Sequence, residues 1–318
     1  MSQPDEKPSR LCLLCLPRSG STSLLKCLSF FEDSEVWFEP FVIGRLVKTE
    51  YKRNTGRELP TEWSEAHAEQ FEQAATFMQA INKQQVNGKN YAFSEIKRSI
   101  ESSQKPVVIV KDMGTSFLGR LQYLPSPDVG FKYVFIIRNP CGAIASYRRA
   151  SLQTWRNYKT FTGSDEEFDL FTDDRYYRSP GGCFRILHGV WKHVRENIDP
   201  DPLVIDTEDF LADPKAFLQK ICQVAGLRYH DGLLQWDPTP AVVKTWRNAG
   251  GVNHLLGESL VAFHGTAINS SCFFPRKRQA PPDRSTLTPD VLRAVDEGME
   301  FYMDMYQHRF VPGKTPTP

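Results

Sequence analysis

Charge of one sign is what this sequence most plainly lacks. It sets 39 Lys and Arg against 38 Asp and Glu, a formal net charge of +1 over 318 residues. A coat for nucleic acid or for an anionic membrane surface carries a large excess of positive charge, so both are excluded as global roles; a local patch is not. Long apolar runs are missing too. No stretch approaches the ~18 residues that cross a bilayer, and the longest candidates, such as Tyr133–Ile137, have the length of a strand. Met1 to Arg10 is polar and has no charged-then-apolar targeting pattern. The seven cysteines are scattered and odd in number, which excludes a disulfide framework. Together these absences predict a soluble protein of a reducing, cytoplasmic compartment that binds neither nucleic acid nor membrane. No exposed apolar helix stripe is evident, and the oligomeric state stays open.

Metal chemistry is also without a signature. Cys12 and Cys15 have the spacing of a redox or metal pair, but they lie inside the apolar run 11–16 and no second Cys or His pair answers them. They read as buried strand thiols. The seven histidines (67, 188, 193, 230, 254, 264 and 308) make no ligand spacing with Cys or carboxylates. No metal is expected. His254 and His264 fall in the Gly-containing stretch 250–265, a candidate to approach an active site.

What is present is a regular alternation. Short apolar runs at 11–16, 35–38, 107–110, 132–137 and 203–205 predict buried strands, and periodic patterns predict helices at 22–30, 62–86, 115–123, 141–150, 183–197 and 214–225. Strands that are apolar throughout and alternate with helices indicate a parallel sheet covered on both faces, with ligands bound at the carboxyl ends of the strands. One domain over 11–310 is expected, between a disordered leader at 1–10 and a tail at 311–318. Two insertions interrupt it, at about 45–105 and 151–182. The second holds Trp155, Arg156, Tyr158 and Lys159, then an acidic stretch from Asp165 to Asp174, and reads equally as a lid or as solvated surface.

Two segments look built for phosphate. The first strand runs into Leu16-Pro17-Arg18-Ser19-Gly20-Ser21-Thr22-Ser23 and then an apolar helix. A small-residue turn before a helix offers backbone N–H groups, the positive end of a helix dipole, hydroxyl donors and one cation, Arg18. An ordinary N-capped helix would look similar. The turn is not a Walker loop, since no Gly-Lys-Ser/Thr ends it. In the second segment a strand ends at Arg138, Pro140 opens a helix, and Ser146 follows two turns in. Arg138 has the planar fork that suits phosphate oxygens, although a structural ion pair would also use it. Arg148 and Arg149 add charge.

In these residues the sequence resembles the sulfotransferases that use 3′-phosphoadenosine 5′-phosphosulfate (PAPS). Pro17 to Thr22 match the family's 5′-phosphosulfate loop, Arg138, Pro140 and Ser146 its 3′-phosphate motif, and Thr207 to Pro214 its acidic turn before a helix. The resemblance covers about 11–228 and continues more weakly to 310. It implies an α/β, P-loop NTPase-like three-layer fold with a central parallel sheet flanked by helices, and sulfonate transfer from PAPS. By the match, Arg18, Ser19, Gly20, Ser21 and Thr22 hold the 5′-phosphosulfate, and Arg138 and Ser146 the 3′-phosphate. Ser23 stands where the family often has an aromatic that stacks on adenine, and Thr207 replaces the usual Tyr. Arg276-Lys277-Arg278 stands for the family's Arg-Lys-Gly clamp without its Gly, a solvated basic loop being the alternative.

The family's frequent base is absent: after Val107–Val110 comes Lys111-Asp112-Met113, with Met113 in the place of a His. Sulfonate transfer needs a base for the acceptor's proton and cations for the leaving oxygen. Glu39, in Trp37-Phe38-Glu39-Pro40-Phe41, ends the second strand on the rim of Arg18 and is the expected base, with Lys111 and Arg18 on the transferring group. Its aromatic flanks are expected to raise its pKa. A similar Glu-Pro in some bacterial carbohydrate sulfotransferases supports this; a helix-capping carboxylate is the alternative, and Asp112 is a second candidate base. The acceptor is expected to be a small molecule bearing a hydroxyl or amine. Aromatics of 151–182 suggest a partly apolar site, and Arg156 a preference for an anionic acceptor. A P-loop phosphotransferase and a catalytically silent nucleotide-binding module are the competing functions.

Overall fold

The structure, a computed structural model, describes residues 8–82, 86–177, 179–252 and 261–313. In chain order it builds β1 (Ser9–Cys15), α1 (Ser21–Leu28), β2 (Ser34–Phe38), α2 (Pro40–Thr55), α3 (Ala68–Asn82), α4 (Phe93–Glu101), β3 (Val107–Met113), β4 (Phe131–Ile137) and α5 (Pro140–Asn157). The second half adds α6 (Gly182–Asn197), β5 (Leu203–Asp206), α7 (Thr207–Ala212), α8 (Pro214–Ala225), β6 (Arg247–Asn248), β7 (Gly251–Val252), α9 (Val261–Ile268) and α10 (Pro289–Gln307).

The strands lie in the order β5-β4-β1-β3-β2-β6-β7. All neighbours are parallel except β6 and β7, which pair antiparallel at one edge. The alternating apolar runs explain this: along β1, Cys12 and Leu14 face one core and Leu11, Leu13 and Cys15 the other, all essentially without solvent exposure. The first core is covered by α2 to α6 and α10, the second by α1, α7 and α8. This is the three-layer α/β fold that the sequence pattern implies. The Cys12 and Cys15 thiols are free and buried, as expected of strand residues. No described helix is long and apolar enough to cross a membrane.

Several elements differ from expectation. Residues 115–123 form no helix but two short 3₁₀ turns, Gly114–Phe117 and Leu121–Tyr123, separated at Gly119 by a left-handed backbone (φ 65°). The long pattern at 62–86 opens with a 3₁₀ turn, Glu65–His67, and becomes α-helical only at Ala68. α5 runs on to Asn157, so the first residues of the 151–182 insertion continue a helix. The rest of that insertion is tied down by Asp174. Its carboxylate accepts from the Tyr147 and Ser151 hydroxyls (2.7 Å each), the Trp155 indole (3.2 Å) and the Tyr177 N–H (2.9 Å).

Parallel register decides what meets at the carboxyl rim. Phe38 pairs with Lys111, Cys15 with Met113 and Ile136, and Ile137 with Asp206. The residues that follow these strand ends, among them Glu39, Arg18, Arg138 and Thr207, therefore share one edge.

Candidate active site

The turn from β1 into α1 has two residues in the left-handed region, Arg18 (φ 64°) and Gly20 (φ 74°), and Gly20 is the N-cap of α1 without a side-chain cap. This winding leaves the N–H groups of Arg18, Ser19, Gly20, Ser21 and Thr22 with no hydrogen-bond acceptor among the described residues. A row of unbonded N–H groups at the start of a helix is a cradle for an anion. The Ser19 hydroxyl is committed to shaping the turn, donating to the Leu16 carbonyl (2.8 Å). Thr207 fixes the turn from outside, donating to the carbonyls of Ser19 (2.8 Å) and Ile137 (2.9 Å). Arg138 does so too, donating to the Arg18 carbonyl (3.0 Å).

Beside this cradle two arginines converge on one acid. Glu208 accepts from Arg138 (3.3 Å) through one carboxylate oxygen and from Arg276 (2.9 Å) through the other. Ser146 is close by, its Oγ accepting from Arg18 Nε (3.1 Å). The Arg18 guanidinium also donates to the Phe263 carbonyl of α9. Burial lowers its pKa, and Arg138 and Arg149 add repulsion. The structure thus joins Arg18, Arg138, Ser146 and Arg276. It leaves Lys277 exposed, without a polar partner among the described residues, and Ser23 half-buried. Arg148 departs from the expected patch: it is buried against Asp290 (2.9 Å) and the Asp165 carbonyl (2.7 Å), because α10 packs on α5 there.

On the other side of the turn stands an ion pair. Lys111 is fully buried and its ammonium donates to Glu39 Oε1 while lying 4.8 Å from the Phe38 ring centroid. Burial by itself would raise the Glu39 carboxyl, as its aromatic flanks suggest, but Lys111, with His264 and Arg45, holds it below the ordinary value. The expected rise is therefore reversed by a partner 72 residues away in sequence. Burial likewise opposes charge on Lys111, and Cys15, Glu39 and Asp112 around it bring its pKa out above the usual value. Nor does Glu39 cap α2 with its side chain; its backbone sits in the left-handed region (φ 51°) directly before Pro40. That conformation is disfavoured for a non-glycine residue, and more so before proline. Such strain persists only where the surrounding packing fixes it. Asp112 provides the support. Its carboxylate accepts from the N–H groups of Phe41 and Met113 and from the Ser116 hydroxyl, each at 2.7 Å, so it caps α2 in place of Glu39. Its pKa is pushed up to about 7, chiefly by burial, with Glu39 adding to the rise. With its oxygens so occupied, Asp112 braces the start of α2 and the turn after β3.

The comparisons with known proteins bear on this rim. A model of the sulfotransferase family matches residues 11–231, more than half of the chain. The chain belongs to the sulfotransferase family. No curated protein matches it. Among solved structures it is similar to the sulfotransferase domain of the Synechococcus PCC 7002 olefin synthase, at 14% identity and TM-score 0.42 over 93% of this chain and 96% of that one. A sulfotransferase domain from the curacin biosynthetic pathway gives 14% and 0.45 over 96% and 99%. A mouse sulfotransferase complexed with PAP gives 14% and 0.46 over 96% and 91%. Similarity of this degree assigns no acceptor and no residue role.

Three residues beside this rim escape sequence reasoning or are only touched by it. Glu208, inside the acidic turn, is the acid that gathers Arg138 and Arg276. Lys26 of α1 donates to the carbonyls of Pro238 (3.1 Å), Ile268 (2.5 Å) and Ser270 (2.8 Å), and so clamps the end of α9 over the cradle. His264 on α9 lies edge-on to Phe38, ring centroids 5.3 Å apart, and its Nδ1 is buried without a partner among the described residues. Burial lowers its pKa to about 4; Glu39 opposes the shift, and Lys111 and Arg18 add to it. His254 lies outside the described residues.

Proposed function

We propose that the protein moves the sulfonate of PAPS to a hydroxyl or amine of a small-molecule acceptor and releases 3′-phosphoadenosine 5′-phosphate. Family membership supports sulfotransfer in general. The observation that carries the finer reading is a pair of anion sites on one rim: the unbonded N–H groups of the β1–α1 turn, and the Arg138–Glu208–Arg276 cluster beside it. A nucleotide charged at both its 5′ and 3′ positions matches two cradles, whereas a triphosphate carries its charge at one end. In this reading Arg18, Ser19, Gly20, Ser21, Thr22 and Ser23 hold the 5′-phosphosulfate, and Arg138, Ser146, Arg276 and Lys277 the 3′-phosphate, which competes with Glu208 for the two arginines.

When bound, PAPS supplies an activated sulfonate with a phosphate leaving group. The chain's own side chains do the rest. Glu39, ionised and strained into position, takes the acceptor's proton as the new bond to sulfur forms. Lys111 and Arg18 donate to the charge that grows on the leaving oxygen. Lys111 pairs with Glu39 in the ligand-free protein, and turning it toward the sulfonate frees the carboxylate and restores its basicity. No metal is invoked. Seven free thiols, six of them buried, support a reducing, cytoplasmic location. The test is transfer of label from ³⁵S-PAPS into small molecules of a metabolite extract. A labelled product that disappears when Lys111→Met replaces the wild type is expected; no labelled product at all would leave a nucleotide-binding module.

A further inference from the structure

The residue expected to select an anionic acceptor, Arg156, is spent inside its own insertion on Asp165 (2.6 Å) and the Gly163 carbonyl (2.8 Å). Another arginine is not. Arg45 lies six residues beyond Glu39 on α2, about 9 Å along the helix axis. Its guanidinium makes no ion pair with any described carboxylate. Its Nε is buried and has no hydrogen-bond partner among the described residues. Its one side-chain partner is a long contact from Nη2 to the Tyr177 hydroxyl (3.5 Å), with the guanidinium carbon 5.2 Å from that ring's centroid. The two acids near enough to act on it electrostatically are engaged elsewhere: Glu39 with Lys111, and Asp112 with the start of α2. Arg45 as a whole is half-buried, but its Nε is shut off from solvent, and a buried N–H donor without an acceptor is costly unless something else completes it.

A second orphan points into the same place. The Thr115 hydroxyl, in the turn after β3, is buried without a partner among the described residues. Tyr177 closes the third side and is fixed there by its N–H on Asp174 (2.9 Å). On its other side Tyr177 borders a narrow apolar crease of about 10 Å³ that runs past Cys183 and Phe184 to Pro17, and neither Arg45 nor Thr115 lines it. Three separate elements therefore bring a cation with an unpartnered Nε, a hydroxyl and a phenol together within electrostatic reach of Glu39.

We propose that Arg45 is the anion-binding residue of the acceptor site, so that the acceptor carries a carboxylate or phosphate group apart from the hydroxyl or amine that is sulfonated. Arg45 grips that anion through its fork, and Thr115 and Tyr177 donate to the remaining oxygens. The proposal rests on the sulfotransferase reading for the word acceptor, but the anion site is measurable without turnover. Benzoate, phenyl phosphate and benzamide are titrated by calorimetry into the full chain, with and without saturating 3′-phosphoadenosine 5′-phosphate. At least one of the two anions is expected to bind about tenfold or more tightly than the neutral amide, and which of them leads identifies the group. Arg45→Gln is expected to abolish that preference while leaving benzamide and nucleotide affinity unchanged, and Arg45→Lys to keep part of it. Equal binding of all three probes to the wild type, including no measurable binding, overturns the proposal, as does a preference that survives in Arg45→Gln. Failure of the nucleotide to bind alongside an intact, Arg45-dependent anion preference refutes the PAPS reading and leaves the anion site standing.

Discussion

Glu39 holds a φ of 51° next to a proline, and one backbone angle there decides what its side chain does. An extended residue would let the strand run on; the left-handed one turns β2 straight into α2 and keeps the carboxylate on Lys111. Glu39→Gln keeps the shape and removes the proposed proton acceptor, so turnover is expected to fall by about 10²–10⁴ with nucleotide affinity little changed, checked by ³⁵S transfer and calorimetry. Its place at a strand end was legible because an apolar run stops there. The direction of its pKa was not, because Lys111 meets it only through the register of two parallel strands. His264 carries a second residue-scale prediction. Its folded pKa of about 4 lies below the ordinary 6.5, so between these values the unfolded chain binds a proton that the folded one does not. Stability from this site is thus lost as pH falls through that window. Relative to His264→Asn, the wild type is expected to lose melting temperature between about pH 7 and about pH 4.5; a constant difference across the range contradicts the buried, neutral imidazole.

Among the elements, α9 depends most on distant contacts. Its own eight residues, Val-Ala-Phe-His-Gly-Thr-Ala-Ile, contain no charged group that would announce a site. What holds it is Lys26 on one helix and Arg18 on the turn before it. Lys26→Met leaves three carbonyls without their donor, at a cost of about 1–3 kcal/mol for each one that stays buried. The expected result is faster hydrogen exchange in 261–268 and weaker nucleotide binding, with exchange in β1 and β4 unchanged; uniform acceleration everywhere would assign Lys26 to global stability alone. The main strands were readable from their apolar runs, and the start of α5 from Pro140. The 3₁₀ turns at 114–123 were not, since an apolar periodic stretch of that length is compatible with a helix until Gly119 is seen to take a positive φ. The insertion at 151–182 reads as mixed charge in sequence. In space its acids work as anchors, Asp174 for the aromatics and Asp165 for Arg156.

For the molecule as a whole, a net charge of +1 conceals strong segregation. The cations of the rim are gathered by the sheet, and the acids among them are few and specifically placed: Glu39 on Lys111, Glu208 between Arg138 and Arg276. The place of the two candidate phosphate segments on one rim was legible because each is a continuous strand–turn–helix segment. The Arg276 contribution was an open expectation, because a basic loop gives no sign of what it folds against; Leu211 and Glu208 supply that answer. Arg138 also braces the Arg18 carbonyl, so its loss would disturb both proposed anion sites, and Arg276→Ala is the cleaner variant. The most direct measurement is calorimetry of 3′-phosphoadenosine 5′-phosphate, adenosine 5′-phosphate and ATP–Mg²⁺ on the wild type and on Arg276→Ala. The 3′-phosphorylated nucleotide is predicted to bind at least about tenfold more tightly than the other two, and to lose about tenfold or more in Arg276→Ala while adenosine 5′-phosphate is unaffected, the size expected of a charged hydrogen bond. Preference for ATP–Mg²⁺, or equal affinity for nucleotides with and without the 3′-phosphate, would contradict the account.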